Sequence, residues 1–259
     1  MSDQMRLAQV TLRLEDAQRR LYEVFGRVAR PKRVEGCPHC VTPGEERCLS
    51  EGPVASIEAA DLARYAAKAL TTWGGTADLR YFLPRLLECA ANDAFVYPDP
   101  EIVFGKLAAA DWQHWPGDEP DAISDFLFAW WSATLHRDST WPPIGTIVCC
   151  LAATGSDLAP YLQAWSRLDT QAAVRHLHDL LVTDVRWTPS PRLTNAFWDR
   201  GGTPHHQLLT WLSTGPAAGA VEAAFDRETR EPVLDLLATI HPWVTPPEHE
   251  WPTSTVPTS

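Results

Sequence analysis

The chain has no run of eighteen apolar residues, so a hydrophobic helix crossing a membrane is not expected. Positive charge is scarce: 22 Lys and Arg stand against 33 Asp and Glu, giving a net charge of −11 and a pI near 5.2. Nucleic acids and anionic membrane surfaces are bound by basic faces, so neither partner is expected. The recognisable catalytic signatures are missing too: there is no GxSxG, no HExxH, no GxGxxG and no GxxxxGK before Ser or Thr. No signal peptide is expected, because MSDQMRLAQVTLRLEDAQRR mixes charged and apolar residues from its start. The expectation is a soluble cytoplasmic protein. No segment reads as a β-strand.

Cysteine is sparse as well, six in 259 residues, too few for a disulfide scaffold in a chain this long. Cys89, Cys149 and Cys150 fall in apolar runs and read as small buried hydrophobes. Cys37, Cys40 and Cys48 fall instead in a polar loop.

What is present is helical periodicity. Amphipathic segments come in pairs over about 57–92, 99–136, 143–183 and 203–241, with Pro, Gly and Asp breaks between them. A repeat of this size is how stacked helical hairpins read in sequence, because one hairpin cannot bury its apolar face alone. A long helix over 4–28 precedes them, its stripe of Val10, Leu14, Ala17, Leu21, Val24 and Val28 forming a packing seam. Ser56 and Thr76 read as helix caps, and Asp99-Pro100 as a helix start. Pro84 lacks a donor, so the spacing predicts a helix ending near Tyr81 and a second one with Pro84 in its first turn. Residues 29–55 and 184–202 break the rhythm; the first has room for one helical turn near 43–49, the second for a short helix at 192–199. Residues 245–259 have little to bury and read as a disordered tail on a single all-α domain spanning 1–244.

The segment TADLRYFLPRLLECAAND resembles the second half of a HEAT-type repeat, in which a proline opens an apolar helix that ends near an acidic residue. HEAT-like arrays are generally interaction scaffolds, and that is what the resemblance implies here. Residues 36–92, with GCPHC, KALTTWGG and DLRYFLPRLLE, are also similar to bacterial all-helical proteins to which no function is attached.

The chemistry-bearing residues are few. In Cys37-Pro-His-Cys40 two thiolates can converge on one tetrahedral zinc, with Cys48 or His39 as a third ligand. The same cysteines also read as purely structural, or as a redox pair, though the strand and helix that activate such a pair are not visible. His176 and His178 are two apart on a helix and diverge, while His205 and His206 read as surface residues. His114 stands between Trp112 and Trp115, where an aromatic surround can shift its pKa. Asp118, Glu119, Asp121 and Asp125 read as a helix-start acid cluster rather than a metal face. Arg64, Lys68, Arg80 and Arg85 form what reads as the only dense basic group, either an anion or acidic-partner site or a set of ion pairs with Asp61, Asp78 and Glu88. Twelve tryptophans are many for this length. Those at helix ends and turns, including Trp112, Trp115, Trp141, Trp187, Trp198 and Trp243, either cap the core or line an exposed binding edge.

These readings converge on an all-α, irregular stack of helical hairpins, HEAT-like, with a long N-terminal helix. The expected function is a bacterial cytoplasmic protein–protein interaction module with an unidentified protein partner. Arg64, Lys68, Arg80, Arg85, Trp112 and Trp115 are its candidate binding residues, and Cys37, Cys40 and Cys48 are candidate zinc ligands. The alternative is a small-molecule enzyme with a pocket in the stack, using Tyr65, Arg85 and His114.

Overall fold

A computed structural model describes residues 3–37, 39, 41–50, 52–138, 142–188 and 190–245. Among the described residues there are twelve α-helices and one two-stranded hairpin. The fold is therefore all-α. The longest helix, α1 (Asp3–Phe25), opens the chain over 23 residues. No described helix is long and apolar enough to cross a membrane. Trp141 and the tail from residue 246 lie outside the described residues.

The chain divides into two compact units: residues 9–130 with 153–155, and residues 3–8, 131–152 and 156–245 of the described chain. The first holds most of α1, then α2 (Pro43–Ser50), α3 (Ala59–Lys68), α4 (Thr76–Ala91), α5 (Pro100–Ala109) and the start of α6 (Glu119–Thr134). The seam expected on α1 is used: Val10, Ala17, Leu21 and Val24 are buried, with Phe25 beside them. Leu62, Leu79, Phe82, Leu86, Phe104 and Phe126 are buried in the same unit.

Helix α4 is one continuous helix through Pro84, not two. An interior proline forfeits a hydrogen bond and costs about 3 kcal/mol. Here Leu79, Phe82, Leu83, Pro84, Leu86 and Leu87 are all buried on that helix. At about 1.5–3 kcal/mol per large apolar side chain, burial on both sides of the proline outweighs the break. The caps differ from expectation as well. Asp78 Oδ2 accepts the Gly75 N–H at 2.8 Å, so Gly75, not Thr76, is the first cap of α4. Ser56 ends a 3-10 turn, its hydroxyl donating to the Pro53 carbonyl at 2.8 Å, and α3 begins only at Ala59.

The second unit holds α7 (Ile144–Ala153) up to Ala152, α8 (Ala159–Trp165), α9 (Gln171–Asp179), α10 (Thr203–Ser213), α11 (Pro216–Arg227) and α12 (Glu231–Val244). Tryptophans organise it. Trp131 meets Trp165 edge-on at 5.2 Å, and Trp165 stacks on Trp211 at 5.4 Å. Each indole N–H is satisfied: Trp131 donates to Tyr161 O, Trp165 to Ala173 O and Trp211 to Ser166 Oγ, at 2.8–3.0 Å. Buried His176 donates from Nε2 to the carbonyls of Arg137 and Thr134, at 2.8 and 3.1 Å, closing the end of α6. Burial pushes its pKa down, which suits a neutral structural imidazole.

The segment expected to carry a short helix at 192–199 instead forms strand β2 (Arg192–Leu193), paired antiparallel with β1 (Val185–Arg186). Two residues per strand leave no periodicity to read, so the hairpin was invisible in the pattern. It follows a π-helical turn, Leu180–Asp184.

Candidate functional site

Two concave surfaces stand out, one in each unit. In the second unit a trough of about 520 Å³ runs along α8, α10 and the first residue of α11. Ala159, Leu162, Trp211 and Pro216 give it an apolar lining, with Gln163, Thr203, His206 and Thr210 around them. Two other polar lining groups are already committed. Gln207 accepts the Leu158 N–H at 3.0 Å, and Ser166 Oγ holds the Trp211 indole. The trough is open to solvent and its one titratable lining side chain is His206.

In the first unit a smaller cleft of about 260 Å³ lies between the segment 30–34 and α2. Local sequence builds it. Thr42 and Glu45 form a capping box: the Thr42 N–H donates to Glu45 Oε2 at 2.7 Å, and the Glu45 N–H donates back to Thr42 Oγ1 at 3.4 Å. That backbone hydrogen bond, then the Thr42 hydroxyl and Arg64, holds the Glu45 pKa down. The loop before α2 is sewn to the α3–α4 turn, where Cys37 N–H donates to Thr72 O at 2.8 Å and Gly74 N–H to Glu35 O at 2.7 Å. Gly74 has φ +71°, and a Cβ there would meet Val34 Cγ1 at 2.9 Å, so the turn requires glycine.

Of the basic residues expected to form one group, Arg64, Arg80 and Arg85 go to separate partners. Arg64 pairs with Glu45. Arg80 grips buried Glu119 with two hydrogen bonds, Nε at 2.8 Å, and lies over the Trp115 ring at 5.8 Å. Arg85 pairs with Glu88 at 2.9 Å and donates through Nε to the Ile57 carbonyl at 2.9 Å. Lys68 ends α3, and its carbonyl accepts from Thr71, Thr72 and Trp73. Glu88 also accepts the Tyr22 hydroxyl, so Tyr22, Arg85 and Glu88 tie α1 to α4. Beside them, burial pushes the Cys89 thiol up to about 11, which keeps it protonated and inert.

Trp112 and Trp115 are core residues. Only 4% and 9% of their surface is exposed, and their indole N–H groups donate to Thr154 O and Ala110 O at 2.8 and 2.9 Å. Little indole surface is left for a partner to cover. The same holds for Trp187 and Trp198, both buried. Of the residues considered for catalysis, Tyr65 is fully buried and Arg85 is engaged as above. His114 has 77% of its side chain exposed and is hydrogen-bonded to Asp111. Burial raises the Tyr65 pKa well above its ordinary value, so it holds its proton at neutral pH.

Cys48 is exposed on α2, while Cys40 lies outside the described residues. Among the described residues no three His, Cys, Asp or Glu side chains gather as a metal site.

The sequence reading passed over one basic run. Arg27, Arg30, Lys32 and Arg33 fall within seven residues, denser than the group at 64–85. Three of these four line the cleft, facing Arg47 of α2. The signal, RVARPKR, was legible, but it lies in a non-periodic stretch read only for its cysteines. Compared with known proteins, the chain matches no family model, no curated protein and no solved structure.

Proposed function

We propose that this chain is a non-enzymatic protein–protein interaction module of the bacterial cytoplasm, a HEAT-like irregular helical array. The observation that carries the reading is the open apolar trough of about 520 Å³ along α8 and α10. An enzyme site is concave, enclosed and lined by convergent polar groups with perturbed pKa values. The trough has an apolar lining, two polar groups (Gln207 and Ser166) committed to hydrogen bonds, and one histidine. Such a surface suits the apolar side of a partner segment. Tyr65, Arg85 and His114, the residues of the enzyme alternative, lend that reading no support, being respectively buried, ion-paired and exposed.

The test is affinity capture on the full chain, followed by mass spectrometry of what is bound. Ala159→Arg and Thr210→Arg add charge at exposed positions of the trough, so the melting temperature should hold within about two degrees. Each should strip the principal partner found with the unmodified chain. The reading is overturned if both variants capture the same partner equally well.

Zinc at Cys37, Cys40 and Cys48 is proposed as a structural support for the loop. Elemental analysis should then give near-stoichiometric zinc, and Cys40→Ser should remove it and destabilise the loop together. A metal-free protein with full stability sinks that part alone.

A further inference from the structure

Between α4 and α5 the chain turns an apolar tip outward. Val96 is fully exposed and Tyr97 60% exposed, the one sequence-adjacent pair among the exposed large hydrophobic side chains of the described residues. What lies on either side holds the tip in place. Asp93 takes the left-handed conformation at φ +51°, and α4 closes around it: the Asp93 N–H donates to Ala90 O at 3.2 Å and the Ala94 N–H to Cys89 O at 2.8 Å. Phe95 and Pro98 are buried, and α5 follows at once, its Ile102 N–H donating to Asp99 O at 3.0 Å. With both neighbours buried and both ends fixed in helix termini, Val96 and Tyr97 are presented in order, so docking costs little further conformational entropy. Asp93 and Asp99 flank the tip, and neither carboxylate enters an ion pair among the described residues.

We infer that this tip docks in the α8–α10 trough of a second copy of the chain. The inference rests on the interaction reading above and names the partner of that trough. Both surfaces are apolar at the centre: the tip offers Val96 and Tyr97, the trough Ala159, Leu162, Trp211 and Pro216. Charge then selects where on an acidic copy the tip can land. The chain carries a net charge of −11, so a tip flanked by two carboxylates is repelled by acidic surface. Among the described residues, no Asp, Glu, Lys or Arg lines the trough. Loss of charge at an apolar centre is what sets interface cores apart. Asp157, just before α8, is engaged by the Ala159 N–H at 3.0 Å and by Gln207. His206, the one titratable lining side chain, offers a ring N–H to a carboxylate of the tip. Tip and trough share no residue, so every contact needs an intact tip on one copy and an intact trough on the other.

The experiment is sedimentation equilibrium of the full chain at pH 7.5, loaded over about 10–500 µM because small interfaces bind weakly. The mean mass should rise with concentration to a dimer or beyond. Val96→Ser combined with Tyr97→Ser removes the tip, and Ala159→Arg blocks the trough. All three positions are exposed, so melting temperatures should hold within about two degrees. Should the paired substitution lower the melting temperature further, Tyr97→Glu alone repeats the test, with the same loss expected. Each variant by itself should stay monomeric. An equimolar mixture of the two should form a 1:1 pair, since one keeps its trough and the other its tip. Association should be about tenfold stronger in 0.15 M than in 0.01 M sodium chloride, because screening relieves the repulsion between acidic copies. The proposal is overturned if the full chain stays monomeric, if either variant associates as the unmodified chain does, or if the mixture fails to pair. Association that weakens with salt marks a contact held by ion pairs and overturns it as well. A monomeric full chain, from which Ala159→Arg still strips a foreign partner, overturns the tip and leaves the interaction reading standing.

Discussion

Asp184 is the residue whose surroundings conflict most with its charge. It ends the π-helical turn, half-buried, and burial followed by repulsion from Asp179 pushes its carboxyl up to about 6. It packs directly on Gly145 in the first turn of α7: a Cβ built on that glycine would lie 2.2 Å from the Asp184 carboxyl carbon. Gly145→Ala should therefore destabilise by about 1–3 kcal/mol, as overpacking does. In an Asp184→Ala background the cost should largely vanish, a coupling visible in a double-mutant cycle by denaturant unfolding. Equal cost in both backgrounds would show that the glycine serves another purpose. The pH dependence has a definite sign. With the folded pKa raised above an unfolded value near 3.9, the native state holds the proton more tightly between about pH 4 and 6. This contribution is full below pH 4 and lost as pH rises through 6. Because the group is part-exposed, solvent screening cuts the effect to about 1–2 kcal/mol. Asp184→Asn should flatten that slope in chemical denaturation and be more stable at pH 7. A less stable Asn variant would mean that the positive end of α7 favours the carboxylate more than burial opposes it.

At the scale of elements, helices were legible where a long apolar stripe met a punctuating residue. The 3.6-residue spacing of Val10, Ala17, Leu21 and Val24 marked α1, and Asp99-Pro100 marked the start of α5, because both signals are local. The failures were of another kind. Continuity through Pro84 depends on burial from both sides, which a local rule about proline does not contain. The β1–β2 hairpin is too short for any period to show. The fate of Trp112 and Trp115 was equally illegible, since an indole in a turn looks alike whether it faces inward or outward until its neighbours are known. At the cleft, RVARPKR was legible as charge, but its assembly with Arg47 and Phe82 needed three dimensions. Pro84 offers a test of the tertiary override. Pro84→Ala restores an N–H to the helix and removes about 3 kcal/mol of interior-proline cost. It also forfeits a buried ring, about 1–2 kcal/mol, and a stiffer unfolded chain, about 0.4–1 kcal/mol. Thermal unfolding should report a gain of about 1 kcal/mol or less. A clear loss would mean that the ring's packing, not mere tolerance, keeps proline in α4.

At the scale of the whole molecule the excess of negative charge is the dominant long-range force. At 0.01 M salt the Debye length is about 30 Å, so carboxylates across a folded unit repel one another; at 0.15 M it is about 8 Å and that repulsion is largely gone. Ion pairs respond in the opposite sense, since salt weakens attraction too. The pairs that face solvent, such as Arg19–Asp16, Arg27–Asp118 and Arg33–Glu46, each contribute only about 0–1 kcal/mol. Arg80–Glu119 is better shielded from screening because Glu119 is buried. Repulsion summed over a net charge of −11 should therefore outweigh the loss of pair attraction. The melting temperature is expected to rise by a few degrees between 0.01 and 0.15 M sodium chloride at pH 7, then to level off. Calorimetric scans at several salt concentrations check this. A steady fall would mean that the exposed pairs act as a network stronger than their individual geometries imply, and that the acidic surface contributes net stability.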